Sequence, residues 1–141
     1  MNEQRNGRGK EYNWNCNLIF EGVYLNGRKN GKGKEYYDNG KLKFEGEYLN
    51  GERNGKGKAY DRDGQLRFEG EYKKGERNGK GKEYDCNDGQ LKYECEYLNG
   101  KKNGKGKEYL DNDQLKFEGE YINDKEWIGI GYNKNGNIYI E

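Results

Sequence analysis

The chain repeats itself. Gly-x-Gly pairs stand at Gly7/Gly9, Gly31/Gly33, Gly55/Gly57, Gly79/Gly81, Gly104/Gly106 and Gly129/Gly131, a spacing of 24 residues that lengthens to 25 for the last two steps. Between them runs a second block, FEGEY, at Phe44–Tyr48, Phe68–Tyr72 and Phe117–Tyr121, with variants FEGVY at Phe20–Tyr24 and YECEY at Tyr93–Tyr97. A fixed period in this range marks a repeat architecture, in which one unit cannot bury its apolar face alone and leans on its neighbours. Composition points the same way. Only 29% of residues are hydrophobic and 38% are charged, poor material for a thick core. Yet 14% are aromatic, and 27 Lys+Arg nearly cancel 26 Asp+Glu, unlike a disordered chain.

Each unit reads as a hairpin. Leu42, Phe44, Gly46 and Tyr48 share one parity and Lys43, Glu45 and Glu47 the other, the alternation of a half-buried strand. The segment Leu49–Asn54 (LNGERN) reverses the chain, because Asn-Gly readily takes the positive φ of a tight turn, and Gly55–Tyr60 returns as the second strand. No window carries apolar residues at helical spacing. The expected fold is all-β: an elongated single-sheet array of successive antiparallel β-hairpins, about five and a half units of 24–25 residues. At ~4.8 Å per strand such an array is on the order of 50 Å long. It forms one domain over 1–141, with an N-terminal half unit at 1–19, regular repeats at 20–121 and a divergent C-terminal hairpin at 122–141. The single insertion falls in Asp85–Gln90 (DCNDGQ), which is therefore expected to be a loop. The register that satisfies both faces sets Glu47 against Lys56, Glu45 against Lys58, Tyr48 against Gly55 and Gly46 against Gly57, with rings lying over glycines. It also sets Phe44 against Ala59, where sister units carry Glu35, Glu83 and Glu108.

Absent residues exclude much chemistry. There is no His, Ser, Thr or Pro, so serine, threonine and histidine catalysis are excluded. Cys16, Cys86 and Cys95 are odd in number and show no CxxC spacing, which predicts free thiols in a reducing compartment, and neither a disulfide scaffold nor a metal site. The stretch Gly51–Lys58 (GERNGKGK) fails as a phosphate loop, since its glycines are too close and no Ser or Thr follows to hold Mg²⁺. Glu45 and Glu47 lie about 7 Å apart along one strand face, within the range used by glycosidases. The same pair recurs at Glu69/Glu71 and Glu118/Glu120 beside lysines, as a solvated face does. No enzyme activity, cofactor, metal or small-molecule substrate is expected. Balanced charge offers no dominant counterion-release term for nucleic acid. The first twelve residues lack an apolar leader and no run is long enough to span a bilayer, so a cytoplasmic location is expected, free or attached to membrane or cytoskeleton.

One place departs from the repeat's own rules. In Glu126–Glu141 the Gly-x-Gly alignment puts Ile130 where sisters have Lys32, Lys56, Lys80 and Lys105, and Ile128, beside Trp127, where they have Asn. Ile138 and Ile140 extend the apolar character along the final strand. Trp127, Ile128, Ile130, Ile138 and Ile140 thus form the expected protein contact, through which the terminal hairpins associate with another copy or a partner. A cap folded over the array's own last hairpin is the competing explanation. At the other end, Tyr12 and Trp14 follow a half unit without its first strand. A different surface is also available. Arg28, Lys29, Arg53, Arg77, Lys101 and Lys102 in the turns could line a basic ridge attractive to anionic phospholipid, although the unit 44–67 balances five acids with five bases.

The stretch Phe44–Gly64, FEGEYLNGERNGKGKAYDRDG, resembles the MORN repeat, approximately Y-x-G-x-W/Y-x-x-G-x-x-H-G-x-G followed by an Asp-Gly turn. Phe44 takes the first aromatic place, Tyr48 the second, and Asn54 the place where the family often has His. The resemblance covers nearly the whole chain. It implies successive antiparallel hairpins serving as scaffold, dimerisation module or membrane-lipid contact.

Overall fold

The computed structural model describes residues 5–136 and 138–140, with the side chains of Tyr139 and Ile140 outside the description. Twelve strands follow one another: β1 (Gly7–Tyr12), β2 (Leu18–Leu25), β3 (Arg28–Tyr36), β4 (Leu42–Leu49), β5 (Glu52–Tyr60), β6 (Leu66–Lys73), β7 (Glu76–Tyr84), β8 (Leu91–Leu98), β9 (Lys101–Tyr109), β10 (Leu115–Ile122), β11 (Lys125–Tyr132) and β12 (Ile138–Ile140). Their hydrogen-bonded order is their order in the chain, a single open sheet of antiparallel neighbours, and no helix occurs among the described residues. The all-β hairpin array read from the sequence is therefore present. Contacts group the residues into two compact units: one reaches Leu66 and takes in Tyr72–Glu76, and the other comprises Arg67–Glu71 and the chain from Arg77 onward.

Hairpin turns form where two successive residues accept positive φ. Asn50 (50°) and Gly51 (89°) do so between β4 and β5, as do Asn26 and Gly27, and Asn99 and Gly100. A two-residue turn with both centres left-handed matches the twist of the flanking strands. Each turn is also stitched to the previous hairpin. The Gly51 N–H donates to the Lys29 carbonyl and the Gly75 N–H to the Arg53 carbonyl in the first unit, and the Gly100 N–H to the Arg77 carbonyl in the second, each at 2.9 Å.

In the first unit a row of glycines crosses the sheet: Gly9 lies opposite Gly22, Gly22 opposite Gly33, Gly33 opposite Gly46 and Gly46 opposite Gly57. The core rests on this row. A methyl group on Gly46 would lie 2.8 Å from Cζ of Phe44, and one on Gly33 would lie 3.0 Å from Cε2 of Tyr48. Bare backbone is what lets the rings lie down. Phe20 and Phe44 are buried, each flanked by tyrosine edges: Tyr24 at 5.7 Å and Tyr48 at 5.3 Å from Phe20, Tyr48 at 5.7 Å and Tyr72 at 5.1 Å from Phe44. Edge-to-face pairs of this kind add ~0.5–1.5 kcal/mol beyond the area they bury.

The second unit repeats the scheme with one substitution. Phe68 meets Tyr97 at 5.3 Å and Phe117 meets Tyr121 at 5.4 Å, and the row runs Gly81, Cys95, Gly106, Gly119, Gly129. Cys95 is buried, and its Sγ lies over Gly106 where the other repeats place a phenylalanine ring. Tyr93, in the phenylalanine position, is only partly buried and reaches Glu108 Oε1 with its hydroxyl at 3.3 Å.

Two register expectations need correction. Phe44/Ala59, Glu45/Lys58 and Gly46/Gly57 pair as read, but Tyr48 lies opposite Arg53, not Gly55, and Glu47, which faces Lys32 on β3, has no partner on β5 because the register shifts there. The cause is Gly55, whose φ of 101° bulges the strand. Glu47 fills the bulge: its Oε2 accepts the Lys56 N–H at 2.8 Å, and any side chain on Gly55 would strike that carboxylate. Glu71 and Glu96 do the same for the Lys80 and Lys105 amides. At Gly55, Gly79 and Gly104 the first glycine of the Gly-x-Gly pair thus serves a carboxylate-plugged bulge, while the second serves the packed layer on the other face.

Candidate functional site

The face opposite the rings is built from charge. In the first unit Lys10 lies opposite Glu21, Glu21 opposite Lys34, Lys34 opposite Glu45 and Glu45 opposite Lys58. In the second, Lys82 faces Glu94, Glu94 faces Lys107 and Lys107 faces Glu118. Glu21, Lys34, Glu45, Glu94 and Lys107 therefore each have an opposite charge on either side. Separations such as 3.6 Å for Lys34–Glu45 and 3.9 Å for Lys107–Glu118, between half-exposed groups, make every link weak.

On β11 this row changes character. Glu118 lies opposite Ile130, and Ile130 lies opposite Ile140 in backbone register. The pairing revises the alignment by glycines: Gly129, not Gly131, is the ring-bearing glycine opposite Gly119, so Ile130 stands where Lys34, Lys58 and Lys107 stand. The glycine bulge is missing here, and Ile128 pairs directly with Glu120, leaving Trp127 as the extra residue at the register shift. Strand alternation puts Ile128 and Ile130 on one face, together with Ile122, which the sequence reading passed over. All three are exposed, as are Trp127 (68%) and Ile138. Ile138 pairs with Tyr132, and the Ile140 side chain lies outside the described residues. Leu25, Leu49 and Leu98, at the place of Ile122 in earlier repeats, are exposed as well. Their signal in the sequence was the apolar residue that follows most FEGEY tyrosines.

The six turn cations are differently employed. Lys29 and Arg53 lie over the rings of Phe20 and Phe44 at 4.1 and 4.0 Å, and Arg77 and Lys102 over Phe68 and Tyr93 at 4.1 and 3.5 Å. Arg53 also ion-pairs with Glu35. Ala59 supplies no carboxylate at the corresponding place of its repeat, and Arg77 pairs with Glu83 of its own strand at 2.6 Å. Burial would raise the Glu35 carboxyl, but the hydrogen bond and charge of Arg53 outweigh it and hold the group below its ordinary value, while Arg53 is raised in return. Arg28 and Lys101 are exposed. Four of the six cations therefore form the lid of the aromatic layer. Sequence reading could not tell lid from ridge, since both need a cation beside the turn.

The described residues contain no cluster of His, Cys, Asp or Glu able to hold a metal ion. Cys16 and Cys86 are exposed free thiols, and burial pushes the Cys95 thiol up to about 11, away from reactivity.

The pattern described as MORN repeat matches residues 44–66 and 68–90, and that described as MORN repeat variant matches 29–50 and 102–123. The chain belongs to the MORN-repeat family. No curated protein matches it. MORN repeats are a non-catalytic repeat type, commonly found as interaction or membrane-binding modules. In this chain the MORN glycines and aromatics build the ring face, and the Glu and Lys residues that alternate with them build the charged face.

Proposed function

We propose that this MORN-repeat protein is a non-enzymatic scaffold that associates with a second copy of itself through the β10–β11 hairpin and β12. The observation that supports it is the replacement of the lysine opposite Glu118 by Ile130, next to exposed Ile128, Ile122 and Trp127, on a face that elsewhere alternates charge. An exposed apolar patch of this kind costs solubility unless something covers it. The same patch on a second copy is apolar and of the same shape, as a two-fold contact requires. Light scattering tests this. Ile130→Lys, which restores the residue of the other repeats, is expected to lower the molar mass while the circular dichroism stays that of β-sheet. A monomeric parent protein, or an unchanged mass in the variant, overturns the proposal.

Binding to anionic membranes through Arg28, Lys29, Arg53, Arg77, Lys101 and Lys102 has less support, because Lys29, Arg53, Arg77 and Lys102 already lie over rings. Sedimentation with anionic liposomes that fades as salt rises would favour it over the apolar contact.

A further inference from the structure

On the charged face of the first unit, two tyrosines one hairpin apart bound an open depression of about 470 Å³. Tyr12, Leu18 and Tyr36 give it apolar walls, and Asn17, Asp38 and Asn39 give it polar ones. We propose that this depression binds a neutral, β-1,4-linked glycan.

The walls, their charge and the spacing of the rings carry the assignment. The walls are rigid: the Tyr36 hydroxyl donates to Glu21 Oε1 at 2.6 Å, fixing that ring. Asp38 is held by Arg62, and Asn39 is held on both sides, its Nδ2 donating to the Arg62 carbonyl and its Oδ1 accepting from the Lys41 N–H, each at 2.9 Å. Tyr12 is 58% exposed, so its ring is open to a ligand. The polar groups keep capacity to spare, since an amide has two N–H donors and a carboxylate two acceptor oxygens. Rings to stack on, beside fixed donors and acceptors, suit a molecule whose own rings are apolar on the face and hydroxylated at the rim. Charge excludes an anion: the lining presents a carboxylate, and the neighbouring guanidinium of Arg62 is already spent on it. Finally, strand alternation puts Tyr60 on the same face, two strands beyond Tyr36. Rings thus recur every ~10 Å across the first unit. A straight β-1,4 chain, which turns the same sugar face outward at every second residue, can engage such a row at several points.

The test uses the full chain carrying Trp127→Phe, so that Trp14 is the only tryptophan, in the turn that also supplies Cys16 and Asn17 to the depression. Cellohexaose is titrated by Trp14 fluorescence and by calorimetry at low and high salt, with maltohexaose alongside. The expected result is saturable binding of cellohexaose, indifferent to salt. Tyr12→Ala, at an exposed position, should weaken it at least about tenfold with the circular dichroism unchanged, the loss of one stacking ring. No binding of cellohexaose, equal binding by Tyr12→Ala, loss of binding in high salt, or a preference for maltohexaose overturns the proposal.

Discussion

At the scale of single residues, the repeat contains its own substitution experiment. Where other units read Phe-Glu-Gly, residues 93–95 read Tyr-Glu-Cys, and both changes belong to one packing event. The Cys95 sulfur takes the space over Gly106 that a ring takes elsewhere, and Tyr93 is partly turned out, its hydroxyl finding Glu108. Tyr93→Phe alone leaves the ring blocked by sulfur, and Cys95→Gly alone opens a gap that Tyr93 is tethered away from. Together they recreate the arrangement of Phe44 and Gly46. A double-mutant cycle by urea denaturation is expected to show favourable coupling of ~0.5–3 kcal/mol. Strict additivity would mean that the two sites pack independently. The sequence showed Cys95 as a small-residue replacement, but not that Tyr93 answers it, because the answer lies in where a ring can lie down.

At the scale of the hairpin, the lid residue Arg53 links packing to pH. Glu35 has a folded-state pKa below its ordinary value of 4.5, so it contributes stability that is fully present above that value and is lost as pH falls through the lowered one. Arg53→Met keeps an apolar stem over Phe44 but removes the charge, leaving a half-buried carboxylate without its main stabilising partner. The variant is expected to be less stable at neutral pH by ~1–3 kcal/mol, with the gap closing as pH falls below 4.5. Parallel denaturation curves at neutral and acid pH check this, and a constant gap would mean that Arg53 acts only through its stem. Much of the hairpin was legible beforehand. Alternation and Asn-Gly turns gave the strands and reversals, and the wish to cover both faces gave the Gly46/Gly57 pairing. What failed was the stretch from Tyr48 to Gly55, since a bulge adds a residue without leaving any mark on the parity of its neighbours. The same blindness misaligned Gly129, where the extra residue is Trp127 and not a glycine. The contrast of Ile130 with lysine is the same in either alignment, because a lysine stands at both positions.

At the scale of the whole molecule, tyrosines in both units are held by a carboxylate of the adjoining strand. The Tyr24 hydroxyl donates to Glu11 and the Tyr84 hydroxyl to Glu69, both at 2.8 Å. Burial first, and a hydrogen-bonded carboxylate second (Glu11, Glu21 and Glu69 in turn), push Tyr24, Tyr36 and Tyr84 from 10.0 up to about 12. A raised folded-state value means stability that is complete below pH 10 and is lost as pH climbs toward about 12. Tyrosinate absorbance and circular dichroism followed together are expected to change in one step over that range. Ionisation of these tyrosines near pH 10 with the sheet intact would show that their hydroxyls are not engaged. The self-association test with Ile130→Lys belongs to this scale too, since it reads the mass of an assembly. The alternation of Lys34, Glu45 and Lys58 across the strands has a further outcome. The hairpins β2–β3, β4–β5 and β8–β9 each bring one ion of each sign to that line, so duplicating or deleting one of them leaves its net electrostatics where they were. The count of such hairpins is thereby uncoupled from the charge balance of that line, and no copy is needed to neutralise another.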